Sequence, residues 1–317
     1  MSNNPFFSVI IPVFNREKRI ERAINSIINQ EFENWEIIII NDASTDGTKQ
    51  ILDNIIHPKI KVIHNDRNKE RCISRNIGIE HARGEYLCFL DSDDYHLPFH
   101  LKKIHDLILN KNNQIGMYFS NSFNETETGL RTDRICPLFT EKDPFQYFLN
   151  YTVNPQRWAI HRMIFEKVKF DPNVIICEDM DTSMRIAANG YPIHQLHERT
   201  TVYVAADDSF THGDSQKWEK ELFYLKRIFK KSELKGKLPI FSKWRLLSMC
   251  YFHLAEKANL YRRKKSAVNF ALKSILLYPL GYNRRTFKPL VVILLYNLPL
   301  FGYTIRKFKN ILGKLHH

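Results

Sequence analysis

Little in this sequence supports a disulfide framework. Its five cysteines (Cys72, Cys88, Cys136, Cys177 and Cys250) are odd in number, scattered and never in C-x-x-C spacing. That argues against paired bridges or a zinc knuckle and fits a reducing compartment. As isolated, small apolar side chains they are expected in the core. No G-x-G-x-x-G follows the first strand-like run, which disfavours a dinucleotide dehydrogenase, and no G-x-x-x-x-G-K-[ST] occurs, which disfavours a P-loop enzyme. Low-complexity linkers and internal repeats are missing as well. Met1–Pro5 carries no basic residue, and the apolar run after it is broken at Pro12 and Asn15, so no signal peptide is expected. Acids are scarce in the last third. Residues 216–317 hold 4 Asp/Glu against 23 Lys/Arg, a net of +19, whereas residues 1–215 hold 30 against 24. An electrostatic partner, lipid or nucleic acid, should therefore meet the C-terminal segment.

What is present reads as a globular enzyme: 317 residues, 44% hydrophobic and 13% aromatic, enough for one large α/β domain and an extension. Phe7–Val13 and Trp35–Ile40 are continuous apolar runs, as strands buried on both faces require. Between them Ile20, Ala23, Ile24, Ile27 and Ile28 recur at helical spacing. A helix to about Ile56, a strand at Ile60–His64, a helix at Ile73–His81 and a strand at Glu85–Leu90 follow. Pro98 then opens a helix with Leu101, Ile104, Leu107 and Ile108 on one face, and Gln114–Ser120 reads as another strand. The alternation predicts a mostly parallel, doubly wound sheet with helices on both faces. The polar clusters after Val13, Ile40 and Leu90 all fall at strand carboxyl ends, where such sheets bind ligands. Asp179–Asn189 is a further helix, with Gly190 as its C-cap.

Chemistry-bearing residues sit in these loops. Asp91-Ser92-Asp93 presents two carboxylates two residues apart, a set that suits Mg²⁺ or Mn²⁺ bound alongside substrate phosphates; an acidic turn capping the next helix is the plain alternative. Asp94 adds to the negative field. Asp42 can read a nucleobase or ribose edge, while Ser44 and Asp46 are expected to cap the helix starting near Thr48. Arg75, with Arg71 a turn earlier, suits a diphosphate, or else pairs with Glu70 or Glu80. Glu178-Asp179 complements a helix dipole or supplies a general base. Asp181 should pair with Arg185. His212 is a candidate last ligand of a metal shell or a surface residue, and Trp158 a sugar-stacking face or core.

Taken together, these segments resemble the inverting glycosyltransferases of family 2. The resemblance rests on Phe7-Ser8-Val9-Ile10-Ile11-Pro12-Val13-Phe14-Asn15, Ile40–Thr48, Arg75-Asn76-Ile77-Gly78, Gly84–Asp94, and Glu178-Asp179 with Arg185, and it covers about residues 6–215. It implies a GT-A fold with a nucleotide-sugar-binding half at 1–120 and an acceptor half at 121–215; residues 216–317, outside it, read as a helical extension from their own basic, helical pattern. It further implies a nucleoside pocket lined by Pro12, Phe14 and Asn15, base contact from Asp42 and donor contact from Arg75. Asp91 and Ser92 would face ribose and sugar, Asp93 would bind Mn²⁺ or Mg²⁺, and Asp179 would be the base. The implied donor is a nucleotide-diphosphate sugar, UDP-linked by first choice, and the acceptor a glycan or lipid-linked hydroxyl of the kind used in cell-envelope polysaccharide synthesis. Asn41 stands where the family often has aspartate, and Ala43 where it often has glycine.

Outside that match, the extension reads as basic amphipathic helices that dock on the inner face of an anionic membrane or pack on the catalytic domain. Leu290–Thr304 is apolar but short and holds Asn297 and Pro299, which argues against a full span. A silent nucleotide-binding scaffold and a nucleic-acid binder are the rival readings. The retained carboxylates oppose the first, and no recognised nucleic-acid module supports the second.

Overall fold

The structure, a computed structural model, describes residues 4–132, 138–204 and 216–278, with 290, 291, 293 and 294. The chain divides into two compact units, residues 1–212 with 232–234, and residues 213–231 with 235–317.

In the first unit the chain runs β1 (Phe7–Val13), α1 (Ile20–Ile28), β2 (Trp35–Asn41), α2 (Thr48–Asp53), β3 (Ile60–His64), α3 (Glu70–His81) and β4 (Tyr86–Phe89). It continues through β5 (Tyr95–His96), α4 (His100–Asn110), β6 (Met117–Thr126), β7 (Gly129–Arg131), α5 (Pro144–Asn150), β8 (Trp158–His161), α6 (Glu178–Ala188) and β9 (Ile193–Val204). The sheet order is β3-β2-β1-β4-β8-β6-β9-β5, with β7 on β6. Its first four strands are parallel. Beyond β4 the sheet is mixed, because β8 runs antiparallel to both β4 and β6 while β6 and β9 are parallel. The chain reaches β8 from β7 and α5, without the right-handed helical crossover that keeps neighbours parallel.

Both faces of the parallel half are covered, which is why its central strands are mostly apolar; the Ser8 hydroxyl of β1 donates to the buried Glu36 of β2 at 2.7 Å, and the edge strand β3 exposes Lys61 and His64. Val9, Ile11 and Val13 pack with Ile20, Ala23 and Ile27 of α1 and Leu101 and Ile104 of α4. On the opposite face Ile10 meets α3 at Gly78, where an added Cβ would lie 2.4 Å from the Ile10 Cγ2. Gly78→Ala is therefore expected to destabilise the fold by about 1–3 kcal/mol, the usual cost of forcing a methyl into a close-packed contact; urea unfolding measures it. Chain order moves outward from β1 to β2 to β3 and then returns to β4 on the other side of β1. The switch point, where ligands bind in such sheets, lies between the ends of β1 and β4.

The second unit contains α7 (Lys217–Ile228), α8 (Ile240–Leu260) and α9 (Lys264–Leu277). Ala255, Ala258, Ala267 and Ala271 let α8 and α9 approach closely around Phe252, Leu290 and Ile293, and the hydroxyls of Ser248 and Ser274 meet at 2.9 Å in that seam. No helix among the described residues is long and apolar enough to cross a membrane. Most of Leu290–Thr304 lies outside the described residues.

Candidate active site

Three loops meet at the carboxyl edge of β1, β2 and β4. The loop after β1 is locked to the one after β2. The backbone N–H of Asn15 donates to the Ser44 Oγ at 3.0 Å, that of Thr45 to the Asn15 Oδ1 at 2.8 Å, and that of Arg16 to the Thr48 Oγ1 at 2.8 Å. Ser44 thus serves Asn15 rather than capping α2, while Asp46 does accept from the Thr48 N–H at 3.0 Å. Phe14 stays exposed at the edge of this platform and Pro12 is partly buried. Asn41 accepts from the Ser44 N–H at 3.1 Å and its amide meets the His64 ring at 2.9 Å, bracing the loop from below. Ala43 takes a left-handed φ of 60°, which for a residue with a Cβ costs roughly 1–2 kcal/mol. Ala43→Gly should accordingly raise stability by about 0.5–1 kcal/mol, read as a higher denaturant midpoint with an unchanged m-value.

Asp42 is buried and its Oδ1 accepts from the Asn65 amide at 2.7 Å and the Lys69 N–H at 2.9 Å. Its Oδ2 makes no hydrogen bond among the described residues, which leaves one oxygen for a ligand.

In the acidic turn after β4 the three aspartates differ. Asp91 is 33% exposed and bonded to Arg75 at 2.7 Å, while Asp93 is 21% exposed and faces the Arg16 guanidinium at 3.5 Å across the switch point. Burial, and then the Asp91 charge, raise the Asp93 carboxyl above the ordinary range, with Arg16 opposing. Asp94 is buried: its Oδ1 accepts from the Val204 N–H at 2.8 Å and its Oδ2 is unpartnered. Burial and the two neighbouring carboxylates push it well up. That environment disfavours a charge on Asp94, against the expectation that it adds to the negative field, and its Oδ1 ties the turn to β9. Ser92 is buried within the turn.

α6 enters the same cluster. Glu178 is buried and accepts from the Arg75 Nη1 at 3.0 Å and the Arg71 Nη1 at 3.3 Å. Arg75, 1% exposed, therefore ties Asp91 to Glu178 with its ring neighbour Phe170 5.3 Å away. Its partners are those two carboxylates and not Glu70 or Glu80, and so buried a guanidinium is closed off from solvent. Glu178 likewise faces arginines rather than an acceptor. Beside it, Asp179 is partly buried. Burial, and then the Glu178 charge, push its carboxyl up to about 7, against the pull of Arg75 and Arg71. Further along α6 Asp181 pairs with Arg185 at 3.0 Å as its spacing predicts, and Gly190 takes a φ of 78° just past the helix end.

Trp158 does not offer a sugar a stacking face. It is 0% exposed and packs between Phe89 and Phe170, because β8 carries it into the sheet core. His212 lies outside the described residues. Among those residues no group of three or more His, Cys, Asp or Glu is placed to hold a metal. Mn²⁺ or Mg²⁺ needs fewer: two partly exposed carboxylates two residues apart are the hard oxygen set that such an ion takes together with phosphate oxygens, so Asp91 and Asp93 fit it. Sequence reasoning missed Arg16, and also Arg22, whose Nη2 donates to the Asp93 carbonyl at 3.2 Å. The sign that pointed to Arg16 was its place, directly after the first strand-end loop and opposite an acidic one.

The family model described as Glycosyl transferase family 2 matches residues 8–169. An uncharacterized glycosyltransferase of Haemophilus influenzae is 42% identical over 95 residues, 29% of this chain and 38% of that protein. The "Putative colanic acid biosynthesis glycosyl transferase WcaA" of Escherichia coli is 41% identical over 100 residues, 31% and 36% of the two chains. For these two, the chain spans little more than a third of the relative's length. The "Putative teichuronic acid biosynthesis glycosyltransferase TuaG" of Bacillus subtilis is 26% identical over 217 residues, 68% of this chain and 84% of that protein. Among solved structures, S. aureus TarS 1-349 in complex with UDP-GlcNAc superposes with a TM-score of 0.61 at 19% identity, over 95% of this chain and 91% of that one. The mannosyltransferase PcManGT of Pyrobaculum calidifontis, in complex with GDP-Man and Mn²⁺, gives 0.58 at 18%, over 94% and 88%. The fold is that of the GT-A glycosyltransferases.

Proposed function

Because this chain belongs to glycosyl transferase family 2 and is a glycosyltransferase, we propose that it transfers one sugar with inversion from a nucleoside-diphosphate donor to an acceptor hydroxyl, with Asp179 as general base. The observation that carries this reading is the Arg75 bridge, which gathers Asp91 and the Glu178-Asp179 pair, 87 residues apart in sequence, beside a carboxyl whose proton affinity suits neutral pH. A base works best when its pKa lies near the working pH. Asp179 accepts the acceptor proton as the acceptor oxygen attacks the anomeric carbon, and the bond to the β-phosphate oxygen breaks on the opposite side. Arg75 fixes Asp91 and Glu178, and Glu178 in turn keeps Asp179 basic. Pro12, Phe14, Asn15 and the free Oδ2 of Asp42 form the nucleoside wall, with Ser92 and Asp91 toward the ribose and sugar. Mn²⁺ or Mg²⁺, held by Asp93 and Asp91, would neutralise charge on the departing diphosphate.

A UDP-sugar is the first donor to test, since a structural neighbour holds UDP-GlcNAc, and a GDP-sugar the second, since another holds GDP-Man. Relatives named for colanic and teichuronic acid biosynthesis favour a glycan or lipid-linked acceptor of the cell envelope, met at the cytoplasmic face. Residues 1–120 would carry the donor half, 121–215 the acceptor half and 216–317 the extension. A melting-point screen of UDP, GDP and their sugars with and without Mn²⁺ tests the reading, because a ligand of the folded state raises its melting temperature. A rise with one nucleotide, enlarged by Mn²⁺, is expected. No shift with any of them would leave a silent scaffold.

A further inference from the structure

Four of the 23 Lys/Arg of the last third stand consecutively at one exposed turn. Between α8 and α9 the chain turns at Tyr261–Arg263, and six consecutive residues there are exposed. Leu260 and Tyr261 are 77% and 60% exposed, and Arg262, Arg263, Lys264 and Lys265 follow them. The turn is closed by its own backbone, with the Arg262 N–H donating to the Asn259 carbonyl at 3.0 Å and the Arg263 N–H to the Ala258 carbonyl at 2.8 Å. Arg262 takes a φ of 56°, a conformation that glycine adopts freely. The single acid of α8 is already engaged, with Glu256 facing the His253 ring at 3.1 Å, and Glu219 of α7 is held by Lys257 at 2.8 Å. Past Glu256 the sequence has no Asp or Glu and 13 Lys/Arg.

We propose that this turn is a docking tip for an anionic lipid bilayer, with Leu260 and Tyr261 entering the headgroup boundary and the four cations meeting lipid phosphates. A bilayer is the surface that takes both halves of the tip. Tyrosine is favoured at the headgroup level, where its ring is apolar and its hydroxyl wet. The stems of lysine and arginine lie along apolar surface while their heads reach phosphate. A nucleic-acid backbone would satisfy the cations but leaves an exposed leucine without use, and one tyrosine is no stacking platform. Each cation near an anionic surface multiplies partitioning roughly fivefold, so four together are worth several hundred-fold. A lipid-linked acceptor would be met at the same surface.

The test is co-sedimentation of the full chain with phosphatidylcholine vesicles, with and without phosphatidylglycerol. Wild type should sediment only with the anionic vesicles, and less as salt is raised. The variant R262Q/R263Q/K264Q/K265Q should lose on the order of 100-fold or more in partitioning. The variant L260S/Y261S, which keeps every charge, should lose about 10-fold or more. Circular dichroism should be unchanged in both, since all six side chains face solvent. Absence of wild-type sedimentation, or equal sedimentation of the wild type and the four-glutamine variant, would overturn the proposal. So would duplex RNA binding that vanishes in that variant while its vesicle binding persists.

Discussion

Replacing Asp179 by asparagine is expected to lower turnover by about 10²- to 10⁴-fold, the range that a positioned general base contributes. Nucleotide binding should change little, because Asp179 makes no bond to the donor-side residues. Among the described residues its one hydrogen bond is from the adjacent Met180 N–H, at 2.7 Å. The pH dependence is a second signature of the same group. Transfer needs the ionised carboxylate, so turnover should rise through pH 7 and level off above it, given a carboxyl lifted to about 7 by burial and Glu178. Stability should move the other way. Between the ordinary aspartate value of 3.8 and about 7 the folded chain keeps a proton that the unfolded chain has lost. The folded state binds more protons there, so stability falls as pH rises through that window and the loss is complete above it. Asp179→Asn carries no charge to desolvate, and its melting temperature should fall less over the same window. A titration of the wild-type carboxyl by ¹³C NMR gives the value directly.

Removing Arg75 should be the most damaging substitution for the fold around the site. Arg75→Met leaves Glu178 buried with only Arg71 beside it, at 3.3 Å, and frees Asp91 from its 2.7 Å partner. Breaking a buried pair by removing one partner costs about 3–5 kcal/mol, because the remaining charge is uncompensated. The double variant Arg75→Met/Glu178→Gln removes that charge and should recover much of the stability. It should not recover activity, since Asp91 is still unheld and Asp179 has lost the neighbour that raises its pKa. A double-mutant cycle on melting temperature and turnover separates the two effects. An Arg75→Met protein as stable as wild type would mean that the bridge is not a structural element.

The parallel half of the fold was legible because its central strands are buried on both faces and therefore mostly apolar, as at β1 and β2, where Ser8 and Glu36 satisfy each other inside the core. Helical spacing in α1 and α4 was equally plain, since those faces fill one core. β8 and the mixed half were not, because a four-residue strand entering the sheet antiparallel has no crossover helix to announce it. The α3 start at Glu70, earlier than the apolar pattern implied, takes in the exposed Glu70 itself and then Arg71, which faces Glu178 instead of the core. The site was readable as a set of acids at strand ends, but their division of labour was not. Asp91, Asp93 and Asp94 look alike in sequence, and only burial and partners tell a carboxylate open to ligand from one locked onto β9. Trp158 stayed open between core and sugar face for a related reason: an aromatic serves either equally well until its exposure is known, and here it is buried. Arg16 escaped notice because its significance comes from Asp93, 77 residues away.

The measurement that bears most directly on Asp179 as the base of a single displacement is the anomeric configuration of the first-formed product, followed by ¹H NMR with whichever nucleotide sugar proves active. Direct attack by an acceptor deprotonated at Asp179 predicts inversion, so that an α-linked donor yields a β-linked product. Retention of configuration, with Asp179→Asn still turning over, would contradict it.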